Sequence, residues 1–155
     1  MKIWLMKSEP DVYSIDDLKR DKSTLWEGVR NYQARNFMMR DMAVGDQVLF
    51  YHSNAEPSGI AGLGKVVAPA CADTTATNRR SEYFDPRATK ADPRWFCVKV
   101  GYVKKWPQLV PLSALRQVRG LEDMLVLRKG QRLSIQPVTD REYALIINLA
   151  ANIKP

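Results

Sequence analysis

The stretch Trp26-Glu27-Gly28-Val29-Arg30-Asn31-Tyr32-Gln33-Ala34-Arg35-Asn36 joins a loop rich in hydrogen-bonding side chains to the start of a helix. Gly28 can adopt backbone angles that other residues avoid, and Asn31 is a suitable N-cap for the helix that follows. Four apolar residues then recur on one helix face: Ala34, Phe37, Met38 and Met42. A polar loop is therefore attached to a core helix, which is a common way of building a binding site.

Each residue of this stretch also has a plainer structural interpretation. Trp26 is equally compatible with an ordinary core position, and Arg30 and Arg35 are compatible with an ordinary solvated surface. Composition alone favours the plainer interpretation, and the motifs in the rest of the chain shift the balance toward a binding site.

Upstream of this loop, residues 2–7 are predicted to form a strand that is apolar on both faces, as in a buried strand. Lys7 and Glu9 follow at its end and point to the same side, where they either line the mouth of a pocket or form a weak surface ion pair. Ser14-Ile15-Asp16-Asp17 fits a capping box that begins a short helix, and residues 21–24 are predicted to be a polar turn.

Downstream, Gly45 is a candidate C-cap for the helix at residues 31–42, and residues 47–53 are predicted to form a strand. Alternation places Val48, Phe50 and His52 on one face and Leu49, Tyr51 and Ser53 on the other. Residues 59–67 contain three glycines without the order of a phosphate-binding loop. We therefore expect a bent strand or a close backbone approach there.

The second half of the chain begins with its least regular segment, residues 68–94, which is too long for a simple connection and is either functional or mobile. It carries the pair Arg79-Arg80 and two aromatic residues, Tyr83-Phe84, that either anchor the loop or face a ligand. Further elements are predicted from periodicity and capping: a strand at 95–106, a short helix at 112–118, a strand at 131–137 and a core helix from Thr139 to about residue 151.

These elements predict a single domain that spans residues 1–155, with about five strands, several of them bent, and helices at both ends. Bent strands and short turns are typical of a small barrel-like sheet with helices packed on it, so the predicted fold class is α+β.

Composition narrows the classes of partner. The chain has 24 Lys and Arg residues against 17 Asp and Glu, a net charge of +7, which favours a polyanion and nucleic acid first. No apolar run is long enough to span a membrane, and the N-terminus is unlike a signal peptide. Cys71 and Cys97 lack metal-ligand spacing and are expected to be free thiols. We therefore expect a cytoplasmic protein (nuclear if eukaryotic) without metal or cofactor.

Several of these pieces together resemble an EVE-domain protein of the thymocyte nuclear protein family. The resemblance covers nearly the whole chain in order and rests on these motifs: Trp4-Leu5-Met6-Lys7-Ser8-Glu9-Pro10, the stretch at 26–36, Gly45-Asp46, Phe50-Tyr51-His52-Ser53, Gly59-Ile60-Ala61-Gly62, Tyr83-Phe84-Asp85-Pro86, residues 95–100, Met124-Leu125-Val126-Leu127 and Gln131-Arg132-Leu133-Ser134. It implies a PUA-like fold, a curled mixed sheet or pseudo-barrel flanked by helices. It also implies a similarity to the YTH and SRA-type readers of modified bases.

The resemblance thus implies a binding module for a modified nucleobase in DNA or RNA, with nucleic acid or a modified nucleoside as its partner. The candidate residues for the base pocket are Trp26, Asn31, Gln33, Tyr51, His52, Ser53 and Trp95. Because Phe50 and Tyr51 lie on opposite strand faces, at most one of them should face the base, and we favour Tyr51 with Ser53. The candidate phosphate or backbone contacts are Arg30, Arg35, Arg79 and Arg80, and Lys7 and Glu9 are candidates for the pocket rim.

Two other functions stay open. Some related PUA-like domains of the ASCH type are amidohydrolases of acylated pyrimidine nucleosides, a chemistry for which Lys7 and Glu9 would be the acting pair. No Ser or Thr nucleophile is indicated, so we expect a binding protein without catalytic residues. The other alternative is a general RNA-binding domain that uses its basic surface and has no base pocket.

Overall fold

The computed structural model describes residues 1–153, and within them it contains six strands and four α-helices. In chain order these are β1 (Ile3–Ser8), α1 (Ile15–Asp21), β2 (Ser23–Leu25), α2 (Tyr32–Asn36), β3 (Gln47–His52), β4 (Gly59–Ala72), β5 (Phe96–Pro111), α3 (Leu112–Leu115), β6 (Ile135–Val138) and α4 (Asp140–Asn152). A π-helical turn at Phe37–Asp41 continues α2, and short 3-10 helices lie at Thr74–Thr77 and Leu125–Leu127.

All six strands belong to one mixed sheet in the order β2-β5-β4-β3-β1-β6. β1 and β3 are parallel and the other neighbouring pairs are antiparallel, so the predicted mixed α+β architecture is confirmed. Within residues 1–153 no pairing joins the end strands β2 and β6, so closure of the sheet into a pseudo-barrel is not shown. The parallel pair brings the carboxyl ends of β1 and β3 together, with Lys7 opposite Tyr51 and Ser8 opposite His52.

The sheet separates two cores, and alternation along the strands decides which side chain enters each. On β3, Val48 and Phe50 pack with α1 and α2, whereas Leu49 and Tyr51 pack with α3 and α4. This division confirms the predicted faces of the strand. Ala34 and Met38 are fully buried in the first core, as the periodicity of their helix predicts.

Local signals place most helix ends correctly. Ser14 and Thr139 each form the predicted capping box, and the Asn31 side chain caps α2. Gly45, in contrast, is not a C-cap: Met42 ends the π-helical turn, and the Gly45 N–H donates to the Val66 carbonyl. The predicted turn at 21–24 is also wrong, because residues 23–25 pair with β5 as the edge strand β2.

The long strands β4 and β5 extend beyond their predicted ends because their pairing is bent. Their register shifts at four places, so both strands continue past the point where alternation in the sequence is lost. A Cβ atom at Gly62 would collide with the Lys104 carbonyl oxygen, which is the close backbone approach that the glycines predict. α3 and β6 are shorter than predicted, since α3 ends at Leu115 and β6 begins at Ile135.

Two further observations concern the class of protein. Among the helices that the structure describes, none is long and apolar enough to cross a membrane. Cys71 and Cys97 are free thiols on paired positions of β4 and β5, and their sulfur atoms lie 4.0 Å apart.

Candidate functional site

A cavity of about 530 Å³ opens where the carboxyl end of β1 meets the loop that follows β2. Its volume falls within the range of about 300–1,000 Å³ that is common for small-molecule sites. Five segments of the chain line it, with these residues: Lys7, Ser8 and Glu9; Val12 and Tyr13; Thr24 to Arg30; Tyr83; and Ser134. The stretch around Trp26 therefore contributes the largest part of the wall.

Trp26 forms a part of the wall that is continuous with the core. Its side chain is only 8% exposed and its ring packs edge-on against Phe50, with the ring centroids 5.5 Å apart. The Trp26 N–H donates to the Val98 carbonyl, which ties the loop to β5. Trp26 thus has both of the positions proposed for it from the sequence, since it packs in the core and also lines the cavity.

Gly28 is required where the wall meets the long loop between β4 and β5. Its φ angle is +86°, and a Cβ atom at this position would lie 2.7 Å from Cζ of Tyr83. The Tyr83 ring therefore lies directly against the glycine backbone, in space that any side chain would fill. The Tyr83 ring can therefore occupy its position in the cavity only because residue 28 has no side chain.

Arg30 fixes this arrangement through a group that we call the Arg30 clamp: Arg30, Asp73, Thr75 and the Tyr83 carbonyl. Its guanidinium donates five hydrogen bonds, to the Tyr83 carbonyl from both Nε and Nη2, to Asp73 and the Val29 carbonyl from Nη1, and to Thr75 from Nη2. A guanidinium has five N–H groups, so all of them are used inside the protein.

Asp73 is the anionic centre of the Arg30 clamp. Its side chain is 1% exposed and accepts hydrogen bonds from the Gly28 N–H at 2.9 Å and from Arg30 at 3.1 Å. Burial by itself would raise the pKa of Asp73, but hydrogen bonds from Thr75, Gly28 and Arg30 outweigh burial and hold that pKa below its ordinary value. The carboxylate therefore stays ionised and holds the loop, the arginine and the Tyr83 segment together.

Charged side chains lie at the mouth of the cavity. The Lys7 amine donates to the Gln131 carbonyl at 3.2 Å, and burial lowers the pKa of Lys7. Burial, together with the nearby Asp73 carboxylate, raises the pKa of Glu27. Glu9 is exposed and accepts a hydrogen bond from Asn54. The mouth thus offers a cation that keeps free N–H donors and two carboxylates.

The structure brings four of the predicted site residues to this cavity: Trp26, Arg30, Lys7 and Glu9. Two others from the same stretch, the N-cap Asn31 and Gln33 of α2, lie outside the lining. The Asn31 side-chain oxygen accepts from the Ala34 N–H at 2.9 Å, so it is used as the helix cap, and Gln33 is exposed. Residues 26–30 of the stretch therefore line the cavity, whereas Asn31 and the residues after it begin a helix.

Tyr51 and its neighbours on β3 lie elsewhere. Tyr51 is buried in the second core, on the face of the sheet opposite Trp26, and burial raises its pKa. Neither Tyr51 nor Phe50 lines the cavity, and Phe50 is the one of the two that packs against Trp26. His52 accepts a hydrogen bond from the Ile15 N–H at 3.1 Å, and the Ser53 N–H donates to the Ser8 carbonyl, so both join β3 to its neighbours.

The remaining candidates lie around the long loop between β4 and β5. Trp95 is 3% exposed, donates from Nε1 to Asp85 at 2.8 Å and stacks on Tyr32 at 4.7 Å between centroids. The Arg35 guanidinium lies 4.6 Å from the centroid of the Tyr32 ring, which places Arg35 in the same cluster. Arg79 and Arg80 are exposed on the loop and outside the cavity lining.

Sequence analysis missed several residues that build the site. Tyr83 was noticed only as an aromatic residue that anchors a loop or faces a ligand, and Tyr13 carried no signal at all. Asp73 lies 43 positions from Arg30 along the chain, so no local pattern connects the two residues. The predicted strand ends at residue 67, so Asp73 falls within the irregular segment 68–94, where nothing in the sequence indicates its partner.

Comparisons with known proteins agree with this architecture. The family model of the EVE domain matches residues 2–149. Human thymocyte nuclear protein 1 is 40% identical over 164 residues, which cover 94% of this chain and 72% of that protein.

Two solved structures are similar along nearly their whole length. A hypothetical protein from Leishmania major is 48% identical, with a TM-score of 0.92 over 97% of this chain and 95% of that chain. The human THYN1 protein, solved in complex with 5-methylcytosine containing DNA, is 39% identical, with a TM-score of 0.91 over 100% of both chains.

Proposed function

The chain belongs to the EVE-domain family, and from this premise we propose that it binds DNA that carries a modified cytosine and holds the modified base in the cavity between Trp26 and Tyr83. The resemblance seen in the sequence motifs is thereby confirmed for the family. One observation carries the proposal for the site: the cavity joins aromatic side chains with polar groups that have free bonding capacity. The human relative solved with 5-methylcytosine containing DNA supports the choice of ligand.

The cavity supplies the two kinds of contact that a base requires. Trp26, Tyr13 and Tyr83 offer aromatic surface, and stacking on such surfaces is worth about 1–3 kcal/mol per base. Lys7 uses one N–H for Gln131, so its amine has further donors for a base carbonyl. The Glu27 carboxylate is an acceptor for the exocyclic amine of cytosine.

A base must leave its stack before it enters such a cavity. Extrusion costs a few kcal/mol and least where the base is unpaired. We therefore expect a methylated single strand to bind more tightly than the same site in a duplex. A methyl group fitted into an apolar site contributes about 1–3 kcal/mol, which corresponds to a preference of about 10-fold or more over unmodified cytosine.

The decisive experiment is a titration of oligonucleotides that differ only in methylation of one cytosine, with the wild type and two variants. Tyr83→Ala removes a cavity wall but keeps the Tyr83 carbonyl that Arg30 binds, so affinity should fall about 5- to 150-fold while the fold is retained. The matched control is Tyr32→Ala, which removes an aromatic ring stacked on Trp95 outside the cavity. Equal loss in both variants, or equal binding of both oligonucleotides by the wild type, would refute the proposal.

One observation favours the amidohydrolase alternative as a second candidate: burial lowers the pKa of Lys7, and Lys7 shares the cavity with Glu9. A lysine of lowered pKa is suited to act as a base. Incubation with an acylated cytidine, followed by chromatography, tests this function directly. Product that forms with the wild type and is lost in Lys7→Met would establish the enzyme, whereas an unchanged nucleoside supports the binding module.

A further inference from the structure

A turn beside the cavity carries three cations in five residues. This basic turn, Arg128-Lys129-Gly130-Gln131-Arg132, follows the second 3-10 helix and is closed by a hydrogen bond from the Gln131 N–H to the Arg128 carbonyl at 3.2 Å. The side chains of Arg128, Lys129 and Arg132 are exposed. Of the ion pairs formed among residues 1–153, none involves these three side chains, so their charges have no acidic partner there.

One hydrogen bond joins the basic turn to the cavity, and a second holds the chain just after the turn. The Lys7 amine, which lines the cavity, donates to the carbonyl of Gln131 in the turn at 3.2 Å. The Lys7 N–H donates to the carbonyl of Ser134, another residue of the lining, at 2.8 Å. The turn is thus fixed to the same residue that offers its amine to a ligand.

Of the four arginines predicted for phosphate contacts, Arg30 and Arg35 have occupied donors, whereas Arg79 and Arg80 are exposed but lie outside the cavity lining. All five N–H groups of Arg30 are used inside the protein. Arg35 donates from Nε and Nη2 to the Asn36 side chain and from Nη1 to the Arg94 carbonyl. The basic turn combines exposed cations with a direct hydrogen bond to a residue of the lining, which neither pair of predicted arginines does.

The distribution of charge around the cavity favours the approach of phosphate from one side. Glu27 lies on the wall formed by the Trp26 loop, and the exposed Glu82 precedes Tyr83 on the neighbouring wall. Carboxylates on these walls repel phosphate, whereas the basic turn attracts it. Glu9, at the end of β1, is also acidic but accepts a hydrogen bond from Asn54, so we expect phosphate to approach the cavity over residues 128–132.

We propose that the basic turn binds the phosphates that flank the base held in the cavity, and that it determines the side from which the nucleic acid strand enters. This inference rests on the proposed function, because it takes the cavity as the site of the base. In this inference the basic turn positions the nucleic acid strand, and the cavity recognises the modified base. The two roles are separable by experiment.

The test compares two double variants that remove the same charge. Arg128→Gln/Lys129→Gln removes two of the three charges of the basic turn, and Arg40→Gln/Lys65→Gln removes an exposed arginine and an exposed lysine outside the cavity lining. Binding to methylated and unmethylated oligonucleotides is measured at several salt concentrations. The slope of log K against log salt should fall by about 1–2 in the first variant, because each lost phosphate contact contributes about 0.7–0.9.

The basic-turn variant should lose affinity for both oligonucleotides by the same factor and should keep the preference for methylation. The Arg40→Gln/Lys65→Gln control should keep the slope of the wild type. A basic-turn slope equal to the wild type, or an equal fall in both variants, overturns the inference. The proposed function is tested by a different quantity, the ratio of the affinities of the wild type for methylated and unmethylated DNA. Equal affinities would refute it whatever the salt slopes are.

Discussion

The Arg30 clamp and the basic turn border the same cavity and use the same kind of side chain in opposite ways. Arg30 donates every side-chain N–H to groups of the protein, and its ion-pair partner Asp73 is only 1% exposed. Arg128 and Arg132 are exposed and have no ion pair within residues 1–153. The difference teaches that an arginine near a site supports its shape when its donors are occupied, and is available to a partner when they are free.

Asp73→Asn should have the largest effect, because it removes the anion of the Arg30 clamp without changing its size. Breaking a buried ion pair by removing one partner costs about 3 kcal/mol or more, so the free energy of unfolding in urea should fall by that amount. DNA binding should weaken too, since Gly28 and the Tyr83 segment lose their common anchor.

The control for this prediction is Asp123→Asn, an exposed carboxylate without an ion pair among the residues described, which should change stability by less than about 0.5 kcal/mol. A similar small change in Asp73→Asn would mean that the Arg30 clamp contributes no more than a surface pair. The contrast with the basic turn would then disappear.

Gly28→Ala should have the next largest effect and is paired with Gly45→Ala. Both glycines have positive φ angles, +86° and +96°, so each substitution should cost about 1–2 kcal/mol in backbone strain. Only the Cβ at Gly28 meets another group, the Tyr83 ring, whereas the Cβ at Gly45 meets nothing within 4 Å. Gly28→Ala should therefore lose DNA binding, and Gly45→Ala should keep it. Equal affinities of the two variants for DNA would show that the position of the Tyr83 ring does not affect binding.

The sequence predicted the local parts of this site and missed the distant ones. Asn31 as a cap, the special backbone of Gly28 and the two faces of β3 all follow from short-range patterns, and the structure confirms them. Alternation also assigns Phe50 and Tyr51 to opposite faces, as observed, but it does not say which face borders a cavity, and neither residue lines it. That information depends on where β2 and the loop after it are placed.

The roles of charged residues were harder to predict, because occupancy of a donor depends on partners far along the chain. Arg30 looked available because Asp73, Thr75 and Tyr83 are 43 or more positions away. The basic turn lies just before β6, and the pairing of β6 with β1, which joins the two ends of the domain, brings Gln131 to the Lys7 amine. Charge composition predicted a polyanion partner without indicating which cations would face it.

A smaller effect of the Arg30 clamp should appear as pH dependence. Because the pKa of Asp73 is lower in the folded state than in the unfolded chain, its stabilising contribution is present above about pH 4 and is lost as the pH falls through the folded-state value. Urea unfolding at pH 7, 5, 4 and 3 should show the loss in the wild type and a shallower one in Asp73→Asn. Parallel curves would show that Asp73 does not titrate with folding.

The smallest effect is expected for Arg79→Gln/Arg80→Gln, which removes two exposed charges from the long loop. The turn there is held by the Arg80 N–H, which donates to the Asn78 side chain at 3.0 Å, so the backbone does not depend on either guanidinium. Stability should change by less than about 0.5 kcal/mol. The salt slope of DNA binding should fall less than in the basic-turn variant, because neither arginine lines the cavity or contacts its lining through Lys7. A fall as large as that of Arg128→Gln/Lys129→Gln would restore to Arg79 and Arg80 the phosphate role predicted from the sequence, and the strand would then enter across the long loop.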